Sequence, residues 1–249
     1  MEERADDLRR LLMPDELKEI LAKGRLMFPD GEQMEGYIGP EVEDIYKAPQ
    51  FIITTYEFSR EFNSLYRYWV LIKSYIKDYL RTAEEQKNSI KGPFARDRKF
   101  VFEESDGMDI EKFPDFLMGS IITYEMSLLE NYLYFLCLEL EDNLEIPFEI
   151  DEKDKRSFLE KYVSWLRDST EIEMDFDSEL YKTVDAFRMI RNTFVHDLSN
   201  DFPEKAKRII SKAINGQPNE KIKVDEKLVE ASFRTIVEFM SLIDETAVQ

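Results

Sequence analysis

Residues 115–142 are apolar on most of a helical circumference. A helix that is hydrophobic nearly all round has to be surrounded by other elements, so this segment predicts the centre of a helical bundle. One narrow stripe departs from the pattern: Ser120, Thr123, Ser127, Glu130, Tyr134, Cys137 and Glu141 recur every three or four residues. Pro147 follows the end of the segment.

The neighbouring segments have the same period. Residues 55–88 carry Phe58, Phe62, Leu65, Tyr66, Trp69, Ile72, Ile76, Tyr79 and Leu80 at helical spacing, and Gly92-Pro93 stops them. Arg98–Glu103 reads as a short strand or an extended loop, followed by an Asp106-Gly107 turn. Residues 152–168 predict an amphipathic helix through Phe158, Leu159, Tyr162, Val163 and Leu166. Residues 178–198 predict another, with Asp177 or Ser178 as N-cap. Pro203 opens a helix over 204–214, and 225–245 make the last. The aromatic stripes at 58–79 and 124–135 read as core. Toward the N-terminus, 5–23 predict one or two short helices, and the glycines and prolines of 24–50 predict loops.

Only eight glycines and nine prolines in 249 residues suit long helices better than a turn-rich β protein. The sum is an all-α bundle of about five to seven helices. Residues 1–112 are expected to be a helical extension with the loop-rich 24–50, or part of the same bundle, and 113–249 the bundle proper.

Composition limits the chemistry. A net charge of −19 argues against broad nucleic-acid binding, which needs a basic footprint, and no DNA partner is expected. One cysteine, Cys137, and one histidine, His196, leave no internal disulfide and no zinc ligand set. Two loop acids, Asp175 and Asp177, do not make a magnesium site, so no metal and no cofactor are expected. The N-terminus shows no apolar signal region and no long apolar run spans a membrane, so the expected location is the cytoplasm.

The sole histidine is therefore the natural place to look for proton transfer near neutral pH. It closes the stretch Ile190-Arg191-Asn192-Thr193-Phe194-Val195-His196-Asp197. RNA carries its own nucleophile in the 2′-hydroxyl. Cleavage then needs a base for that proton, an acid for the 5′-oxygen, and positive charge on the phosphorane. Histidine serves as base or acid. A guanidinium supplies fixed charge and bidentate donors. One Arg and one His are a minimal set that lacks a second proton-transfer group. Five residues along a helix turn through roughly 500°, so Arg191 and His196 point about 140° apart unless the helix loosens near Asp197–Asn200.

The stretch resembles the Arg-Asn-x-x-x-His signature of the HEPN superfamily (higher eukaryotes and prokaryotes nucleotide-binding domains). That resemblance is specific at 190–197 and architectural elsewhere. It implies a helical bundle acting as a metal-independent endoribonuclease of defence or toxin type. The products would be 2′,3′-cyclic phosphate and 5′-hydroxyl ends. It implies Arg191 and His196 as catalytic residues, with Asn192 orienting the motif and Asp197 supporting His196. It also implies a homodimer whose two motifs build one cleft, with RNA as a transient partner and an antitoxin or other protein as a further one. Relatives often carry a polar residue on a preceding helix close to the motif, and Glu130 is the candidate partner for Arg191. The cluster Lys205, Lys207, Arg208 and Lys212, three of whose members share a helix face, is the candidate RNA track. Two other classes fit the chain: a non-catalytic bundle that binds nucleotides or a protein, and a helical structural dimer.

Overall fold

In a computed structural model of the chain, the described residues are 43–47, 53–105, 107–151, 153–170, 172, 174–197, 201–215 and 222–247. Among them there are seven α-helices and no strand. They are α1 (Ile53–Ser89), α2 (Ala95–Ser105), α3 (Gly107–Leu144), α4 (Phe158–Ser169), α5 (Glu179–Asp197), α6 (Glu204–Asn215) and α7 (Glu226–Ala247). The helices expected at 5–23, and the loops expected at 24–50 apart from 43–47, lie outside the described residues.

Helix α3 is the hub. It packs against α1, α2, α4, α5 and α7. Its Met126, Leu129, Leu133 and Leu136 are fully buried, together with Phe62 and Trp69 of α1, Phe187 of α5 and Phe233 and Phe239 of α7. The Phe62 ring meets the Phe233 ring edge-on at 5.4 Å, so α1 shares one core with the C-terminal helices. Each such side chain contributes about 1.5–3 kcal/mol through burial, which is why the apolar period dominates the fold.

Three expectations need correction. The Arg98–Glu103 segment is helical, within α2. A lone strand in an all-helical chain has no edge to pair with, and helix-forming Arg, Lys and Glu surround the two phenylalanines. Helix α3 starts before 115 and runs through Pro114, a residue that removes one ladder donor without ending this helix. Helix α4 starts at Phe158, not 152. Asp151 and Asp154 accept from the backbone N–H groups of Lys153 (2.8 Å) and Arg156 (2.9 Å), which holds the chain in turns until Ser157 caps the helix. For α5 the cap is Ser178, whose Oγ accepts from Tyr181 N at 3.1 Å.

The aromatic stripes are core in part: Phe58, Phe62 and Trp69 on α1 and Tyr132 on α3 are buried. Tyr68 and Tyr75 on α1, and Tyr124 and Phe135 on α3, are exposed. On α3 the exposed Phe113, Phe116, Tyr124 and Phe135 fall on one side of the helix with Ser127 and Asn131.

The segment before α1 is pinned to the bundle. Asn63 accepts from Tyr46 N (3.0 Å) and donates to Tyr46 O (2.7 Å), and the Tyr46 hydroxyl donates to Asp244 of α7. Burial pushes the Asp244 carboxyl up to about 7. Deeper in the core, the fully buried Glu125 meets Ser232 Oγ, which also donates to Val229 O at 2.8 Å. Burial holds the Glu125 carboxyl well above the usual carboxylate range, opposed by its hydrogen bond with Ser232. No described helix is long and apolar enough to cross a membrane.

Candidate functional site

Helix α5 carries the whole Arg-Asn-x-x-x-His stretch, and it stays helical through Asp197. The unwinding that would bring Arg191 and His196 together does not happen before Asp197, and residues 198–200 lie outside the described residues. Within one protomer the two side chains therefore leave the helix about 140° apart and about 7.5 Å apart along its axis.

Gly119 sets the position of this helix. A Cβ there would overlap the Phe194 ring, so the glycine lets Phe194 seat against α3. Phe194 is buried and its ring also meets that of Phe116, 6.2 Å away. The residues that flank it in the motif, Val195 and His196, are exposed. His196 has no hydrogen-bond partner among the described residues. Asn192 is half-buried and likewise makes no side-chain hydrogen bond to a described residue. Asp197 closes the helix; its side chain lies outside what the structure describes.

Arg191 is paired with Glu130. Its Nη2 donates to Glu130 Oε2, and the two side chains are only 20 % and 19 % exposed. Arg191 Nε is buried without a partner. The guanidinium is thus held by one carboxylate oxygen and retains unused donors.

Glu130 faces a second feature. With Ser127, Asn131 and Tyr134 of α3 and Phe158 and Tyr162 of α4, it lines a surface pocket of about 340 Å³. Arg191 and His196 do not line it. Burial, and after it the Glu130 charge, raises the Tyr162 phenol above its ordinary value, so it remains a neutral donor. The polar stripe along α3 marked Ser127, Glu130 and Tyr134 in the sequence. It also contained Cys137, which is fully buried with its thiol pushed up to about 12 by burial. Glu141, on the same stripe, accepts from Phe148 N at 2.9 Å. Asn131 and the exposure of Phe158 had no signal in the sequence, because Phe158 has the helical period of a core residue but sits at the first position of α4.

The four basic residues of α6 are mostly neutralised from within the chain. Lys205 pairs with Asp185 at 3.5 Å, and Lys212 pairs with Glu179, both partners lying on α5. Lys207 pairs with Asp201 (3.1 Å) and Glu204 (2.9 Å). Arg208 is exposed and has no ion-pair partner among the described residues. Nor do the described residues hold any group of three or more His, Cys, Asp or Glu side chains placed to bind a metal ion.

Compared with known proteins, the chain matches no family model, no curated protein and no solved structure.

Proposed function

We propose that the protein is an HEPN-type endoribonuclease that works as a homodimer, with Arg191 and His196 of two copies meeting in one cleft. The observation that carries this reading is the exposed His196 on the last turn of α5, next to exposed Val195 and two residues beyond Phe194, whose ring meets exposed Phe116. Exposed apolar side chains in the same stretch as a titratable one suit a second copy of the same surface. Since Arg191 and His196 diverge on one helix, a two-fold partner supplies what a single protomer lacks. One His196 then takes the 2′-hydroxyl proton, the other protonates the 5′-oxygen, and Arg191 holds the phosphate oxygens. Glu130 fixes the guanidinium on its Nη2 side. Asn192, Asp197 and the α6 cluster remain supporting parts of the proposal, with Arg208 the cation most open to RNA.

The test is cleavage of labelled single-stranded RNA in EDTA by wild type, Arg191→Ala and His196→Ala. Cleavage to cyclic-phosphate ends by wild type, lost by at least about a hundredfold in both variants, is the expected result. No cleavage of several RNAs by any of the three overturns it.

A second reading has its own support. Glu130 already occupies Arg191, and three of the four α6 cations are ion-paired. Those contacts favour a non-catalytic bundle that binds a nucleotide or a protein.

A further inference from the structure

We infer that the pocket between α3 and α4 is a binding site for a guanine base. The inference rests on the ribonuclease reading in one respect only: the guanine is taken to belong to the RNA.

The pocket has the size of a small-ligand site and is open to solvent. Its volume of about 340 Å³ falls at the lower end of the range of about 300–1,000 Å³ typical of such sites. Three of its six lining residues are aromatic. The Phe158 and Tyr162 rings lie nearly parallel, with centroids 6.1 Å apart and planes 23° apart, and Tyr134 closes against Tyr162 at 6.0 Å. Phe158 is 56 % exposed, so it has ring surface to bury against a flat ligand. Stacking on such a platform is open to any base, since every base presents a flat face. Lys161 Nζ lies over the Phe158 ring, 5.4 Å from its centroid, and donates to Asp151 O at 3.3 Å, which leaves further ammonium protons for a phosphate.

Base identity follows from Glu130. A carboxylate is an acceptor only, with roughly four lone-pair sites, and Arg191 takes one of them. Guanine offers two neighbouring donors, N1–H and the N2 amino group, on one edge. Adenine and cytosine offer an amino group beside an acceptor nitrogen. Uracil offers one N–H between two carbonyls. Against a carboxylate the neighbouring acceptors repel, so guanine alone fits without an opposed lone pair. Asn131, next to Glu130 on the same wall, offers the side-chain amide donor that guanine O6 requires. The base would then sit one side chain away from the Arg191 guanidinium, because Glu130 touches both.

The experiment is calorimetric titration of the whole protein with the 5′-monophosphates of guanosine, adenosine, cytidine and uridine, in EDTA. We expect saturable binding of guanosine monophosphate, at least about tenfold tighter than the other three. Phe158→Ala and Glu130→Gln should each weaken it about tenfold or more. Phe158 is exposed, so its truncation should leave the thermal unfolding curve in place and keep the comparison interpretable. The inference is overturned by no saturable binding, by equal affinity for all four nucleotides, or by binding that survives either substitution. RNA cleavage assayed on the same samples separates the two ideas. Cleavage without guanosine monophosphate binding removes the base pocket and leaves the nuclease. Binding without cleavage of any RNA leaves the pocket and removes the nuclease.

Discussion

At the scale of single residues, Gly119 and Asp244 have consequences that can be measured. A methyl group at 119 has to displace the Phe194 ring. Alanine gains about 1 kcal/mol of helix propensity over glycine, while overpacking a core costs about 1–3 kcal/mol. Because the added carbon would overlap three atoms of the ring, the overpacking cost lies at its upper end, about 2–3 kcal/mol, so Gly119→Ala should lose about 1–2 kcal/mol of stability in urea unfolding, and any RNA cleavage should fall with it because the shifted helix carries the motif. A stability equal to wild type would show that Phe194 has room to move. Asp244 differs in sign from an ordinary surface acid. Its carboxyl is raised to about 7 in the folded state, so between pH 4 and pH 7 the native chain holds a proton that the unfolded chain has released. Its contribution to stability is full below the unfolded value and declines as pH rises to about 7. Asp244→Asn keeps an acceptor for the Tyr46 hydroxyl and removes the titration. The melting temperature of that variant relative to wild type should be higher at pH 8 than at pH 5; an offset independent of pH would refute the assignment. Neither residue stood out in the sequence. One glycine in a helix and one acid in an acidic chain look ordinary until their neighbours are known.

At the scale of elements, most of the helices were legible because the apolar period is strong and caps are local. Ser178 and Pro203 act over three or four residues, so sequence alone reveals them, whereas the Ser157 cap lay hidden inside an apolar period that ran back to 152. What else was hidden lay in contacts between elements. The lysines of α6 look like a nucleic-acid track when α6 is read alone. In the bundle, Lys205 and Lys212 face Asp185 and Glu179 of α5 and serve helix docking. The Lys212 ammonium also holds the exposed Glu179 carboxyl below its usual range. Reversing both lysines should lower stability slightly at low salt, an effect that concentrated salt erases by screening. Arg208→Glu should weaken RNA binding more than the double reversal does, as read by filter binding at two salt concentrations. The opposite ranking would return the lysines to the RNA track. The ion pair of Arg191 with Glu130 was partly foreseeable, since Glu130 is one of two charged members of the polar stripe and lies nearer the middle of α3 than Glu141. The pocket beside it was not, since it needs Phe158 at a helix start to face solvent.

At the scale of the whole molecule, the proposed site exists only between two copies. His196→Ala chains co-refolded in equal amounts with wild-type chains should leave about a quarter of the cleavage of an all-wild-type sample, because a dimer with one histidine lacks either the base or the acid. About half of that cleavage, with mixed dimers demonstrated by differential tagging, places a complete site in each protomer and overturns the shared cleft. Exposed Val195 is the natural interface probe, and Val195→Glu should shift the dimer toward monomer in light scattering. The bundle itself has another property at this scale. Tyr46 precedes the first helix and Asp244 belongs to the last, yet their side chains touch. The path of the chain from 46 to 244 is nearly a closed ring. A short bridge joining the end of α7 to the segment before Tyr46 would allow the ring to be opened elsewhere, at Gly92-Pro93 for example, and the order of the helices along the chain could be rotated without changing which of them touch.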